Sequence, residues 1–260
     1  MASIEQINGL PFGRAYKITT GDDVRYLPSV TTVLKMNPDE WLDNLKAELG
    51  EEKFKEVQTR GADRGTVMHR WLEVFLEHYK DCRDDELSLL HVQKYMSTTD
   101  EFDSFDSDVD RAKRIGRELF YNFYSGGFHK RISEVLHNEI FMYTFFKGGW
   151  AGTCDFVYRD LDGKLVILDF KSSSRPKDPD HIDNYKMQTA CYMFKYAEMY
   201  GEMPDRGEIV ISNESDPELQ WVTVPLSEMK TYLRKFLSLM TEFRQTPEWV
   251  DFDKEVHSKI

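Results

Sequence analysis

Apolar positions in the first half of the chain fall at helical spacing. Met68, Leu72, Phe75, Leu76 and Tyr79 recur at i, i+4, i+7, i+8 and i+11, one face of a helix predicted from about Ala62–Thr66 to Lys80. Ile115, Leu119, Phe120 and Phe123 share a side of a second helix, over about 109–123. Pro38-Asp39-Glu40 opens a further helix towards Leu49, with the proline near the first turn, where its missing N–H costs nothing. The pattern predicts a helical first half.

The period then changes. Ser133 to Thr144 and Trp150 to Tyr158 read as strands joined at the Gly148-Gly149 turn. Leu161-Asp162-Gly163 leads into a third strand, Lys164 to Lys171, and Asp-Gly between two such runs signals a hairpin. Its Leu165-Val166-Ile167-Leu168 run is continuously apolar, as expected of a strand covered on both faces. A helix from about Ile182 to Tyr200 stops at Gly201 and Pro204. Short strands follow at Glu208–Ser212 and Gln220–Val224, and a stripe from Leu226 through Met229, Leu233, Phe236, Leu237 and Met240 to Phe243 marks a closing helix. The expectation is an α/β core over residues 131–260, preceded by a helical region over 1–130.

Composition narrows the class. The chain has 260 residues, with 17 Phe, 13 Tyr and 5 Trp to fill one large domain. No apolar run approaches the ~20 residues of a membrane span. Met1 to Tyr16 shows neither a secretory nor a transit pattern, so a cytoplasmic location is expected. Cys82, Cys154 and Cys191 are scattered, which argues against a disulfide framework or a four-cysteine zinc or iron–sulfur site and predicts buried free thiols. The net charge of -12 lowers the expectation of a nucleic-acid partner without removing it. Six acidic residues and no basic one lie between Asp100 and Asp110, a stretch that reads as a solvated linker or helix approach.

The chemistry concentrates in Gly152-Thr-Cys-Asp155 and Leu168-Asp169-Phe-Lys171-Ser. Residues two apart on a strand point the same way, so Asp169 and Lys171 share a face, with Asp155 across the hairpin. Three charges at the ends of apolar strands are costly without partners or a task. Phosphodiester hydrolysis is such a task. Two carboxylates can hold one or two Mg²⁺ ions, and a lysine can orient or help deprotonate the attacking water. Alone, Asp-x-Lys also describes a plain ion pair at a strand end. Gln188 and Tyr192 lie four apart on one helical face beside Tyr185, opposite Met187, Cys191 and Phe194. In Gly65-Thr-Val-Met-His69 the histidine sits beside an apolar stripe, where taken singly it reads as a hydrogen-bonded core residue.

Together these residues, in this order with Glu139 between His69 and Asp155, resemble the RecB-type branch of the PD-(D/E)XK nucleases. The pattern is most like that of mitochondrial genome maintenance exonucleases and their phage and bacterial relatives. Pro28-Ser-Val-Thr-Thr-Val-Leu34 and the segment Glu48 to Lys55 are similar to that family too, so the resemblance runs from about Leu27 to Tyr196. It implies an α/β, restriction-endonuclease-like core, a mixed central sheet flanked by helices, with the helical N-terminal region contributing the histidine. It further implies a Mg²⁺- or Mn²⁺-dependent exonuclease acting on DNA ends, preferring single strands, in repair, recombination or replication. On this resemblance His69, Asp155 and Asp169 bind metal with the Phe170 carbonyl, and Lys171 is the catalytic lysine. Gln188 and Tyr192 sit at the site edge, near the metal's water or a substrate phosphate. Glu139 matches an acidic residue of the first core strand, and equally reads as a surface strand glutamate. Ser172 and Ser173 follow the motif lysine and either touch phosphate or form an ordinary strand-to-loop transition. Arg60, Arg64, Lys147, Trp150, Arg175 and Lys177 flank the motifs as candidate DNA contacts, each also readable as a surface or core residue. The scattered cysteines depart from the relatives that clamp an iron–sulfur cluster. A structure-specific endonuclease on the same core and an inactive DNA-binding or recombination module remain alternatives.

Overall fold

The computed structural model describes residues 2–38, 40–105 and 108–257. The chain opens with strands where helices were expected: β1 (Ser3–Leu10), β2 (Gly13–Thr20) and β3 (Asp23–Pro28) form an antiparallel meander. The pattern hides it because β1 is exposed along most of its length, so the alternation that marks a half-buried strand is absent there. Tyr16, Ile18 and Leu27 pack this small sheet on Ala151, with Phe141 and Tyr143 at its edge.

A short helix α1 (Val30–Leu34) leads to α2 (Glu40–Leu49) and to α3 (Glu51–Cys82), which is 32 residues long and begins well before the expected Ala62. Gly50, at φ 75°, turns the chain into α3, and Glu51 and Glu52 in its first turn complement the helix dipole. The helix α4 (Asp85–Thr98) carried no readable stripe, because its buried positions are Ser88 and Val92. Phe102 is buried within the acidic stretch, while Asp106 and Ser107 lie outside the described residues. Then α5 (Val109–Ser125) crosses α3 so closely that a Cβ on Gly116 would lie 2.5 Å from Val67 Cβ.

The central sheet contains β4 (Ile132–Thr144), β5 (Trp150–Asp160), β6 (Leu165–Ser173), β7 (Arg206–Asn213) and β8 (Gln220–Pro225), in that spatial order. Pairing is antiparallel except between β6 and β7, which run parallel across the helix α6 (Asp183–Tyr200). The chain ends with α7 (Leu226–Phe243) and α8 (Pro247–His257). Alternation along β6 explains its unbroken apolar run. Val166, Leu168 and Phe170 face α3 and α5, while Leu165 and Ile167 face α6 and α7. The sheet is thus mixed and covered by helices on both sides, as expected of the α/β core. Cys154 and Cys191 are buried, whereas Cys82 is exposed at the end of α3, against the expectation for it. No helix among the described residues is long and apolar enough to cross a membrane.

Candidate active site

Where β5 and β6 meet, the ladder runs from Arg159↔Leu165 to Phe156↔Leu168 and the strands then part. Asp155 uses the gap: its Oδ2 accepts a hydrogen bond of 2.7 Å from the Phe170 backbone N–H. One strand position towards the open end, Asp169 lies fully buried on the α6 side of β6. The Lys171 ammonium sits 2.5 Å from Asp169 Oδ2 and 5.3 Å from the Tyr185 ring centroid. Asp169 Oδ1 is buried with no hydrogen-bond partner among the described residues.

Two other elements bring their groups to the same place. His69 on α3 points its Nδ1 to 3.7 Å from Asp155 Oδ2. Glu139 interrupts β4 with a left-handed backbone, φ 50°, a conformation that costs a side-chain-bearing residue on the order of 1–3 kcal/mol. Next to it, Asn138 Nδ2 donates to the Glu73 carbonyl on α3 at 2.8 Å, fastening the strand where it kinks. The result is one ligand atom each from His69, Glu139 and Asp155 within 4.8 Å of one another. On α6, Gln188 Nε2 approaches the Tyr192 hydroxyl at 3.4 Å. Gly152 makes room for that tyrosine, since a Cβ there would lie 2.9 Å from its hydroxyl oxygen.

These side chains line an open cleft of about 820 Å³. Its electrostatics follow from crowding acids in a buried place. Burial, then repulsion from Asp155, pushes Glu139 up to about 9. Burial holds Asp155 and Asp169 at about 6, although Lys171 pulls both back down. Burial and Lys171 press His69 down to about 4, which leaves its imidazole neutral and able to ligate at neutral pH. Burial also opposes the charge on Lys171, but Asp169 and Asp155 outweigh it and raise its affinity for the proton. The donor set of His69, Glu139 and Asp155, carboxylate oxygens with one neutral imidazole, suits a hard divalent cation.

Of the expected site residues, His69, Glu139, Asp155, Lys171, Ser172, Gln188 and Tyr192 line the cleft, with Asp169 buried at its base. Phe170 sits between the two motif residues, its ring turned to Phe123 and Phe128. The expected DNA contacts fare differently. Trp150 is fully buried beside Phe236, so it is a core residue and cannot stack on a base. Ser173 is buried and donates to the Arg175 carbonyl. Lys147 lines a separate hollow with Arg234 and Arg244. The Lys177 backbone is bonded in both directions to the Gln220 side chain, and neither Lys177 nor Arg175 is among the residues lining the cleft. Arg64, on another face of α3, pairs with Glu214 and lines a smaller hollow with Arg60 and Arg111. Arg14, which no pattern marked, walls the cleft from the N-terminal sheet, together with Ser29 and Thr31 of the family-like segment, to which no place at the site was assigned. The sequence reading also missed the Arg70 cluster, where Arg70 pairs with Glu73 at 2.8 Å and Glu101 at 2.9 Å. Glu73 lies one helical turn from His69, and that i, i+4 spacing was the available signal.

A mixed sheet sandwiched by helices, with Asp155, Asp169 and Lys171 where two strands part, is the architecture of a nuclease core. Residues 41–252 match the family model of the PD-(D/E)XK nuclease superfamily, and the chain belongs to that superfamily. No curated protein matches it. Among solved structures, the chain is similar to a protein of Eubacterium rectale described as "Putative exonuclease", at 15% identity and a TM-score of 0.43. That likeness covers 70% of this chain and 66% of the other, just under two thirds of its length. The structure of SSO0001 is similar at 15% identity and a TM-score of 0.35, covering 70% of this chain and 76% of that one.

Proposed function

We propose that this nuclease is a divalent-metal-dependent DNA exonuclease of the RecB-type branch, working from the ends of single strands. The observation that carries the reading is the meeting of His69, Glu139 and Asp155 beside the Asp169–Lys171 pair in one open cleft. Groups from α3, β4, β5 and β6 converge there at a cost in strain and buried charge that packing alone does not repay. The helical region and the core each supply part of this cleft, which supports treating residues 1–130 and 131–260 as one catalytic unit.

In this reading His69, Asp155, Asp169 and the Phe170 carbonyl would hold one or two Mg²⁺ or Mn²⁺ ions, with Glu139 beside His69 and Asp155 as a further candidate ligand. Such an ion, when bound, would supply Lewis-acid neutralisation of charge building on the scissile phosphate. The remaining chemistry belongs to side chains. Lys171, kept protonated by Asp169, donates to the attacking water or to a phosphate oxygen as negative charge grows on it. The Phe170 N–H holds the Asp155 carboxylate in place at the cleft wall. Gln188 and the Tyr192 hydroxyl line the same wall and orient the water or a phosphate oxygen by hydrogen bonding. Ser172, beside Lys171 on the cleft wall, offers a further hydroxyl to phosphate. The preference for ends and single strands rests on the resemblance to mitochondrial genome maintenance and phage-type exonucleases. The same resemblance supports work in repair, recombination or replication.

The test presents purified protein with Mg²⁺, Mn²⁺ or EDTA and with end-labelled linear and covalently closed circular DNA, single- and double-stranded. Linear single strands should shorten to small products, circles should survive, and EDTA should stop the reaction. Cleavage of circles at a comparable rate would make the enzyme an endonuclease. Metal binding without cleavage of any substrate would make it a DNA-binding module.

A further inference from the structure

The segment Pro28 to Leu34 is explained by none of the chemistry above, and the structure shows what it holds. Ser29 and Thr32 are buried, and together they hold the backbone of Arg14, the Thr32 hydroxyl directly and the Ser29 hydroxyl through Thr32. Thr32 Oγ1 accepts from the Arg14 N–H at 2.9 Å and donates to the Arg14 carbonyl at 3.0 Å. The Ser29 backbone N–H donates to the same carbonyl at 3.0 Å, and Ser29 Oγ donates to Thr32 Oγ1 at 2.8 Å. Gly13 completes the fit: with φ at 125°, it lets Thr32 approach where a Cβ would lie 2.9 Å from the hydroxyl oxygen. Ser29 also bridges to Ala151 of β5, three residues before Cys154 and beside the cleft-lining Gly152. A network of buried hydroxyls therefore fixes the Arg14 backbone at the cleft wall while the side chain remains exposed.

The charge balance shows what such an arginine is for. Of the arginine and lysine side chains lining the cleft, Arg70 is paired with Glu73 and Glu101, and Lys171 with Asp169. Arg14 has no carboxylate partner among the described residues; its Nη1 reaches only the Tyr16 hydroxyl, at 3.4 Å. An uncommitted guanidinium, carried on a fixed backbone at the wall of a cleft rich in carboxylates, is placed for an anion that enters with the substrate.

We propose that Arg14 binds a phosphodiester of the DNA strand next to the one cut, with the Thr31 hydroxyl on the same wall, so that the N-terminal sheet forms half of the strand-binding groove. This rests on the DNA reading given above. The sheet and α1 lie outside the residues 41–252 that match the family model.

The test measures binding apart from cleavage, as fluorescence anisotropy of a labelled oligothymidylate titrated with protein, in Ca²⁺ and in EDTA, across a salt series. Arg14→Gln should weaken binding about tenfold, the loss of one charge-assisted contact, and reduce the slope of log affinity against log salt by about 0.7. Arg14→Lys keeps the charge and should keep the slope. Single neutral methylphosphonate linkages moved along the strand should reveal one position that weakens wild-type binding and is silent in Arg14→Gln. Thermal melting of each variant should match wild type, because the side chain is exposed. Equal affinity, slope and linkage profile for wild type and Arg14→Gln would overturn the assignment and leave the nuclease reading standing. Failure of the wild-type protein to bind the strand in either buffer would overturn both.

Discussion

Asp169 gives one oxygen to Lys171 and leaves the other without a partner, and this asymmetry is the clearest chemical statement at the scale of single residues. If Lys171 acts on the attacking water or the developing charge, Lys171→Ala should slow cleavage by about 10²–10⁴-fold in single-turnover assays. Oligonucleotide affinity should change far less, and a variant within a few-fold of wild-type turnover would remove Lys171 from the mechanism. Lys195 makes the contrasting case. It is fully buried on α6, its Nζ donating to the Met142 carbonyl at 2.7 Å, and burial pulls it down to about 7. Between that value and its ordinary one near 10.4, the unfolded chain holds the proton more than the folded one does. Its contribution therefore makes the protein more stable as pH rises from about 7 towards 10, and the penalty is fully present below 7. Lys195→Met should remove that rise, measured as the difference in chemical-denaturation midpoint between variant and wild type across the range. An unchanged difference between pH 7 and 10 would mean that Lys195 stays charged in the fold.

Secondary-structure elements explain which parts of the site were legible. Asp155, Asp169 and Lys171 are fixed by strand alternation, and Gln188 and Tyr192 by one turn of α6, so local spacing alone places them. His69 was visible only through the family pattern, because nothing local tells a ligand from a core histidine on α3. Arg14 was not legible at all, and Ser29 only as part of a family-like segment without a role. They reach the cleft through the packing of a small sheet whose first strand is too exposed to show alternation. The same limit hid α4, whose contact with α3 rests on few apolar side chains. Glu139 depends on a left-handed residue inside a strand, which no propensity anticipates. The elements also make a prediction of their own. Gly116 lets α5 approach α3 beside Arg64 and Val67, within two turns of His69, and a Cβ there would lie 2.8 Å from the Arg64 carbonyl oxygen. Gly116→Ala should cost about 1–3 kcal/mol by forcing the helices apart. Because α3 carries His69, metal affinity should fall with stability, whereas Gly163→Ala, at an open turn, should leave metal affinity unchanged. Intact stability in Gly116→Ala would show that the two helices can separate without strain.

At the scale of the whole molecule, a protein of net charge -12 gathers further acid into a cleft that must receive a polyanion. The resolution is linkage between metal, protons and folding. Without metal, Glu139 at about 9 and Asp155 and Asp169 at about 6 hold protons more tightly than the unfolded chain, so the site loses stability as pH rises through those values. His69, at about 4, acts in the opposite direction between about 4 and 6.5, and Lys195 does so above 7. The metal-free pH profile is therefore a sum of opposing slopes. The difference between profiles with and without Mg²⁺ is cleaner, because Lys195 contributes equally to both and cancels. Binding requires carboxylates without protons, so the ion releases them, and its affinity should rise with pH from about 5.5 until Glu139 is ionised. Melting temperatures at a fixed, saturating Mg²⁺ concentration should show almost no shift at pH 5 and a growing one through pH 8. Glu139→Gln removes the group that titrates last. In that variant the metal-induced shift should reach its plateau near pH 7 and be smaller at pH 8 than in wild type. A metal-induced shift equal at pH 5 and pH 8 would mean that the ion stabilises the protein somewhere other than at these acids.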